Sequence, residues 1–195
     1  MKKFILLNIF IFTGLILFSQ NAEPLTDPRD AQVYKTVMIG NQVWMAQNLN
    51  YDMAKSWCYN DDFKNCNVYG RLYSKEAATK ACPKGWRLPD DNDWEILVKY
   101  FGTKHELGAY LKDASTTYWK APNTEATNKS GFTALPGGHR LANGNYAELN
   151  TMASFWSQFN DKSDLWGRHL VYNAANLNSY NSPEIEACSL RCIKD

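Results

Sequence analysis

The stretch Cys82–Phe101, CPKGWRLPDDNDWEILVKYF, leaves a folding chain the fewest choices. A cysteine ends one helix, a Pro-Lys-Gly turn follows, and Trp86-Arg87-Leu88-Pro89 leads into a second helix. Asp90 has the chemistry of an N-cap. Asp93, three residues on, can return a carboxylate to the free amides of the first turn. Asp91 and Asp93 also place negative charge at the positive end of the helix dipole. Trp94, Leu97, Val98 and Phe101 recur at i, i+3, i+4 and i+7 as one apolar stripe, and Gly102 is a natural stop. The aspartates could pass for the paired carboxylates of a glycosidase, but capping accounts for all of them. The stretch therefore speaks for a scaffold, with Arg87 stacked or paired near the core.

Lys2 and Lys3 precede an apolar run from Phe4 to Phe18. That is the pattern of a secretory signal peptide, too short for a comfortable membrane span, with cleavage expected after Ser19 or Ala22. The chain divides into a signal peptide (1–22), a short polar leader (23–32) and one domain (33–195), with no membrane insertion after cleavage and an extracytoplasmic location. No cysteine lies near the cut, which argues against a lipid anchor. Roughly 173 to 176 residues remain, enough for a substantial core. Loss of the two lysines moves the formal charge from +1 to −1. A near-neutral chain with no basic run has no electrostatic footprint for nucleic acid.

All five cysteines follow the leader, and a secreted chain forms disulfides by default. Five is odd, so at least one thiol is free or bonded to another chain. Zinc would call for paired CxxC knuckles or clustered histidines, and His105, His139 and His169 are scattered. Cys58 and Cys66 enclose YNDDFKN, too polar to be held by packing, so a local disulfide is expected there. Asp61, Asp62 and Asn65 lack the spacing of a calcium loop and read as a solvated tip.

Along the chain, Val33–Met45 predicts a hairpin turning at Gly40-Asn41, with Val33, Lys35, Val37 and Ile39 on one parity. Asn48 to Asn67 reads as loop. Ser74 can cap a helix over Lys75–Ala81, with Ala77, Ala78 and Ala81 as its packing face. Leu107, Tyr110 and Leu111 suggest a short helix or turn, and Ser115–Lys120 looks extended. Phe132–Pro136 predicts a short strand breaking into a Gly137-Gly138 turn, which makes His139 a turn residue; no Lys-Ser/Thr follows, so this is not a phosphate loop. Asn143-Gly144 is a second hairpin signal. Strands follow at Ser154–Phe159 and Trp166–Tyr172, then a loop over Asn173–Pro183 and a terminal strand over Ala187–Ile193. Two central helices among short antiparallel strands and long loops make an α+β domain.

The segments IGNQVWMAQNLNY, YGRLYSKEAA, CPKGWRLPDDNDWEIL, GFTALPGG, FWS and SLRCIKD occur in that order. Together they resemble the Fibrobacter succinogenes major paralogous domain family, over Tyr34–Asp195. That resemblance implies a C-type lectin-like fold in a bacterial extracytoplasmic protein. It also implies a disulfide from the first helix to the last strand, Cys82 with Cys192, beside Cys58 with Cys66. Cys188 is then left over and could exchange with Cys192. RLPDDNDWE and GFTALPGG are also similar to the formylglycine-generating, sulfatase-modifying enzymes. Such copper-dependent oxidases need a reactive cysteine pair, and here the near pair is Cys188 and Cys192. Calcium-dependent lectins use Glu-Pro-Asn and Trp-Asn-Asp triplets. Ala121-Pro122-Asn123 lacks the acid and Phe159-Asn160-Asp161 lacks the tryptophan, so calcium has little support here and no cofactor is expected.

No nucleophile triad assembles with any specificity, and His169 among apolar neighbours reads as a packed residue. The functional lead is loop composition. Trp57, Tyr59, Asn123, Asn128, Asn160, Asp161, Asp164 and Trp166 lie in or near predicted loops, where rings can stack on sugars and amides can bond hydroxyls. The expectation is a non-catalytic binding module for a polysaccharide or a cell-surface ligand. A structural envelope protein is the alternative, and a cysteine oxidase a remoter one.

Overall fold

A computed structural model describes residues 20–159 and 164–195. Most of the expected signal peptide, with Asn160 and Asp161, lies outside the described residues.

The first elements are β1 (Gln20–Asn21), β2 (Leu25–Thr26) and β3 (Val33–Tyr34), with Leu25 paired to Tyr34. The polar leader is thus folded onto the core. Leu25 is buried, and Arg29 pairs with Asp27, donates to the Ala81 carbonyl and lies 3.8 Å over the Tyr51 ring. β4 (Thr36–Ile39) and β5 (Gln42–Met45) form the hairpin expected at Gly40-Asn41. Tyr34, Thr36, Val37 and Ile39 are all buried, so the single parity expected along this strand breaks between Thr36 and Val37.

β6 (Ser56–Trp57) and a 3-10 turn over Tyr59–Asp61 precede α1 (Phe63–Tyr69). This helix corrects the loop expectation for Asn48–Asn67. The Asp62 side chain caps it by accepting from the Lys64 amide, and it buries only Cys66 and Tyr69, too small a stripe to read as a period. β7 (Leu72–Ser74) runs into α2 (Lys75–Ala81), whose cap is Ser74 and whose packing face is Ala77, Ala78 and Ala81. After β8 (Trp86–Arg87) comes α3 (Asp91–Phe101), then α4 (Leu107–Leu111).

The start of α3 is a full capping box. Asp90 accepts from the Asp93 amide at 3.0 Å, and Asp93 returns a bond to the Asp90 amide at 2.8 Å. Asp93 also takes both arms of Arg87, at 2.5 and 2.9 Å, and Gln42 Nε2 at 3.1 Å. Replacing Asp93 with Ala removes the cap and strands these donors in one step. We expect a loss of about 3 kcal/mol in urea unfolding, and about 1 kcal/mol or less for Lys99→Ala on the exposed face as a control.

The second half is mostly strand: β9 (Gly137–Leu141), β10 (Tyr146–Leu149), β11 (Met152–Gln158), β12 (Leu165–Val171), β13 (Asn178–Tyr180), β14 (Ile185–Cys188) and β15 (Ile193–Lys194). Several sequence expectations change: the strand expected over Phe132–Pro136 holds only an isolated bridge at Ala134, and the loop expected over Asn173–Pro183 carries β13. Gly137-Gly138 opens a strand instead of ending one, which puts His139 in β9 and buries it. Gly138 is required there, because at φ +65 a Cβ would sit 2.3 Å from the Ala147 carbonyl oxygen. Ser115–Lys120 forms turns, with Trp119 buried and its indole N–H donating to the Ala134 carbonyl. The single terminal strand is two, because the chain leaves one sheet after Cys188 and enters another at Ile193.

One sheet has the order β1-β4-β5-β15-β8, and the larger one β13-β12-β11-β9-β14-β7-β6 with β10 beside β9. Few helices against mainly antiparallel sheets make this an α+β fold. Trp44, Trp94, Phe132 and Phe155 pack as one aromatic cluster, Trp44 and Trp94 with centroids 5.0 Å apart. A second cluster sets the alanines of α2 against Tyr73, Trp156 and Cys192. Cys58 pairs with Cys66, and Cys82 with Cys192, which leaves Cys188 as a buried free thiol. The chain leaves a cavity bounded by the β3–β4 segment, the residues after β5 and the end of α1.

Candidate functional site

The cavity has a volume of about 700 Å³. One wall comes from the extended chain after β5. There Leu49 N–H donates to the Leu190 carbonyl and Met45 N–H to the Cys192 carbonyl, so residues 45–49 are tied to the last segment of the protein. This places Gln47, Asn48 and Asn50 along the wall. Gln47 Oε1 accepts from the Lys35 amide at 2.7 Å, and the Asn50 amide donates to the Tyr34 hydroxyl at 3.1 Å. Burial pushes the Tyr34 phenol up to about 12, so it stays protonated and able to donate. The wall approaches the end of α1 closely. Gly70, at φ +71, has no room for a Cβ, which would fall 2.7 Å from the Asn48 Cβ.

The opposite wall holds Asp113, Tyr118 and Thr133. Asn128 fixes Thr133, a positive-φ residue, by accepting from its amide and donating to its hydroxyl. Asn123 is buried and donates to the Asp113 and Ser115 carbonyls. Both asparagines, expected as sugar-facing amides, have these side chains engaged with the loop that carries the wall.

Arg191 forms part of the lining and is 1% exposed. Its Nε donates to Asn48 Oδ1 at 2.6 Å, Nη1 to the Met45 and Phe132 carbonyls at 3.1 and 2.5 Å, and Nη2 to the Thr133 carbonyl at 2.9 Å. The guanidinium also stacks 4.6 Å from the Phe132 centroid. Among the described residues no carboxylate forms an ion pair with it. Burial lowers its pKa to about 9, so it remains charged at neutral pH. Asn50 Oδ1, also buried and also in the lining, has no hydrogen-bond partner. Sequence reasoning missed both residues. The usable signal was a charged residue between Leu190 and Cys192, in a segment otherwise apolar enough to be core.

The remaining expected site residues fall elsewhere, in two further groups. Trp57 carries the Arg140 guanidinium 4.3 Å over its ring, and Tyr59 packs on Tyr146 at 5.2 Å. Trp166 stacks on Phe159 at 4.2 Å and 10°, and Asp164 beside it bonds Lys75 Nζ at 2.9 Å and Asn181 Nδ2 at 2.9 Å. The hydrogen bond from Lys75 holds the Asp164 carboxyl below the ordinary value. None of Trp57, Tyr59, Asp164 and Trp166 lines the cavity.

A third group is a row across the larger sheet. Ser154 on β11 lies opposite His169 on β12, with Ser154 Oγ 3.0 Å from His169 Nδ1. Both are buried, and the Tyr180 ring covers the imidazole at 4.0 Å. His169 Nε2 and His139 Nδ1 have no partner. Burial first, and His139 second, lower His169 to about 4, and burial lowers His139 as well. Such a pair is a Ser–His contact without access, because a nucleophile beneath a stacked ring meets no substrate. It does predict acid sensitivity. The folded state disfavours the imidazolium, so the His169 contribution is whole above about pH 6.5 and is lost as pH falls toward 4. Over that window we expect a fall of about 3 kcal/mol in urea-unfolding stability. The His169→Gln variant should show a flatter profile between pH 6.5 and 4, and an unchanged slope would refute the assignment.

Among the described residues no group of three or more His, Cys, Asp or Glu is placed to hold a metal ion. No described helix is long and apolar enough to cross a membrane. A family model described as the Fibrobacter succinogenes major domain matches residues 37–194. No curated protein and no solved structure matches the chain.

Proposed function

Since the chain belongs to the Fibrobacter succinogenes major domain family, we propose that it is a secreted, non-catalytic binding module with a C-type lectin-like arrangement, taking a saccharide in the cavity beside Tyr34 and Tyr118. The observation that carries this reading is the chemistry of the walls. Gln32, Gln47, Asn50 and Asn67 bring side-chain amides to the border of a space of sugar size, with the Tyr118 ring beside them. Amides present donor and acceptor together, which suits vicinal hydroxyls, and aromatic faces suit the apolar side of a pyranose.

The absence of catalysis draws its support from the cysteines and the serine. Four cysteines are spent in disulfides, and burial pushes the Cys188 thiol far up, against the reactive pair an oxidase needs. Secretion draws its support from the two disulfides and from the apolar N-terminal run. The test is retention on a glycan array and on insoluble polysaccharides, with calcium and with chelator. We expect retention that does not depend on calcium. No retention on any saccharide, together with protein partners co-purifying, would replace this reading with that of a structural envelope component.

A further inference from the structure

β13 is a three-residue edge strand, paired with β12 through Gly167, Arg168 and His169. From it the Tyr180 ring lies over the His169 imidazole at 4.0 Å and 18°, while Tyr180 itself is 39% exposed. Below that ring the imidazole leans over Gly167, where a Cβ would fall 2.1 Å from Nε2. The histidine is thus buried between a glycine of its own strand and an exposed tyrosine of the edge strand.

The surroundings of His169 leave a positive charge unanswered. From β11, Ser154 Oγ meets Nδ1 at 3.0 Å. From β9, His139 stands next to Ser154 in the sheet, since Gly138 is in register with Ala153. Nε2 has no hydrogen-bond partner. Burial first, then His139, disfavours the imidazolium; the Tyr180 backbone favours it, and Arg168 disfavours it again. Glu148 of β10 acts on His139 and on Tyr180, and Cys188 of β14 on Tyr180. Among the described residues no carboxylate acts on His169 itself.

The edge strand is fixed on both sides and lightly held between. The Ala174 carbonyl takes Lys112 Nζ at 2.9 Å and the Ala175 carbonyl the Ala109 amide at 2.9 Å, while the Glu184 carbonyl takes the Ala142 amide at 2.8 Å. Between these points the Tyr180 hydroxyl has Met152 Sδ as its partner, at 3.9 Å, and Asn181 makes exposed bonds to Lys75 and Asp164. We propose that Asn178–Asn181 is an acid-released latch: protonation of His169 lifts Tyr180 and β13 off β12, wets the imidazolium, and leaves β11 and β12 paired. Opening three ladder positions at an edge takes less free energy than unfolding the sheet. The open latch gives the ring its ordinary affinity for a proton and the closed latch withholds it, so acid favours opening and neutral pH favours closure. Lifting Tyr180 uncovers Ser154 and His169, so the larger sheet presents a different face in acid.

The experiment is hydrogen exchange by mass spectrometry on the folded, oxidised protein across this pH range, corrected for the intrinsic exchange rate at each pH. Peptides covering residues 178–181 should lose protection by about tenfold or more as pH falls from about 6.5 to 4, while those covering β11 keep theirs. His169→Gln should abolish that response. Tyr180→Ala should show at neutral pH the exchange that the parent shows in acid, and it serves as the test where His169→Gln fails to fold. Protection at 178–181 that ignores pH, a loss that arrives together with that of β11, or a full response in His169→Gln would each overturn the latch. So would a Tyr180→Ala protein that exchanges like the parent at neutral pH.

Discussion

Removing the Cys82–Cys192 bridge is expected to lower the stability of the protein by about 5 kcal/mol, the largest loss available from any single covalent change. The two cysteines are 110 residues apart in sequence. In the chain-entropy account a crosslink stabilises by narrowing the unfolded ensemble, and the effect grows with the logarithm of the loop it closes. The Cys58–Cys66 bridge spans 8 residues, and the same relation gives about 2.5 kcal/mol for it. The paired variants C82A/C192A and C58A/C66A, unfolded in urea under identical conditions, should therefore differ about twofold in their losses. Both cysteines of each pair are replaced so that no new thiol competes with Cys188. Equal losses would mean that local packing, not loop closure, sets the value of the long bridge.

The second large effect is expected at Arg191. Arg191→Met fits the space and keeps an apolar stem against Phe132, but it leaves the carbonyls of Met45, Phe132 and Thr133 and the amide oxygen of Asn48 without their donor. Each abandoned buried acceptor costs about 1 kcal/mol or more, against which the relief of burying no charge is set. A net loss of about 3 kcal/mol is expected, read from the urea midpoint. Arg191→Lys should recover less than half of it. An ammonium is a point donor, and it cannot span four acceptors drawn from two separate segments as a planar guanidinium does. A variant as stable as the parent would show that water from the cavity replaces the guanidinium.

Much of the frame was legible in sequence where local chemistry decides conformation. Asp90 and Asp93 announced the start of α3, Gly102 its end, Ser74 the start of α2, and Gly40-Asn41 a hairpin. α1 was not legible, because a helix that buries two residues of seven has no stripe, and its cap, Asp62, sits among other polar residues. The strand at Gly137 was not legible either. Glycine pairs signal turns by default, and only the approach of the Ala147 carbonyl explains why glycine is needed inside a strand. The candidate site was the least legible part. Aromatic and amide residues in loops were the visible lead, yet Asn123 and Asn128 tie loops together and Trp57 stacks on Arg140. The cavity is assembled from residues 22 to 191, and its buried, carboxylate-free arginine and partnerless Asn50 oxygen are recognisable only once partners can be counted in three dimensions.

The position of β15 has a consequence for how the chain comes to be made. Ile193 and Lys194 pair with β5 on one side and β8 on the other, so the last residues synthesised lie between strands from the first half. The N-terminal hairpin emerges long before its neighbour exists. Under oxidising conditions Cys58 and Cys66 can close as soon as both have been made, whereas Cys82 must wait for its partner. Cys188 arrives four residues earlier than Cys192 and is the first thiol of that segment Cys82 can meet. In a chain oxidised as it is made, a Cys82–Cys188 pairing would compete with the Cys82–Cys192 bond of the folded protein, and attack by the Cys192 thiolate on that mixed pairing would resolve it and free Cys188.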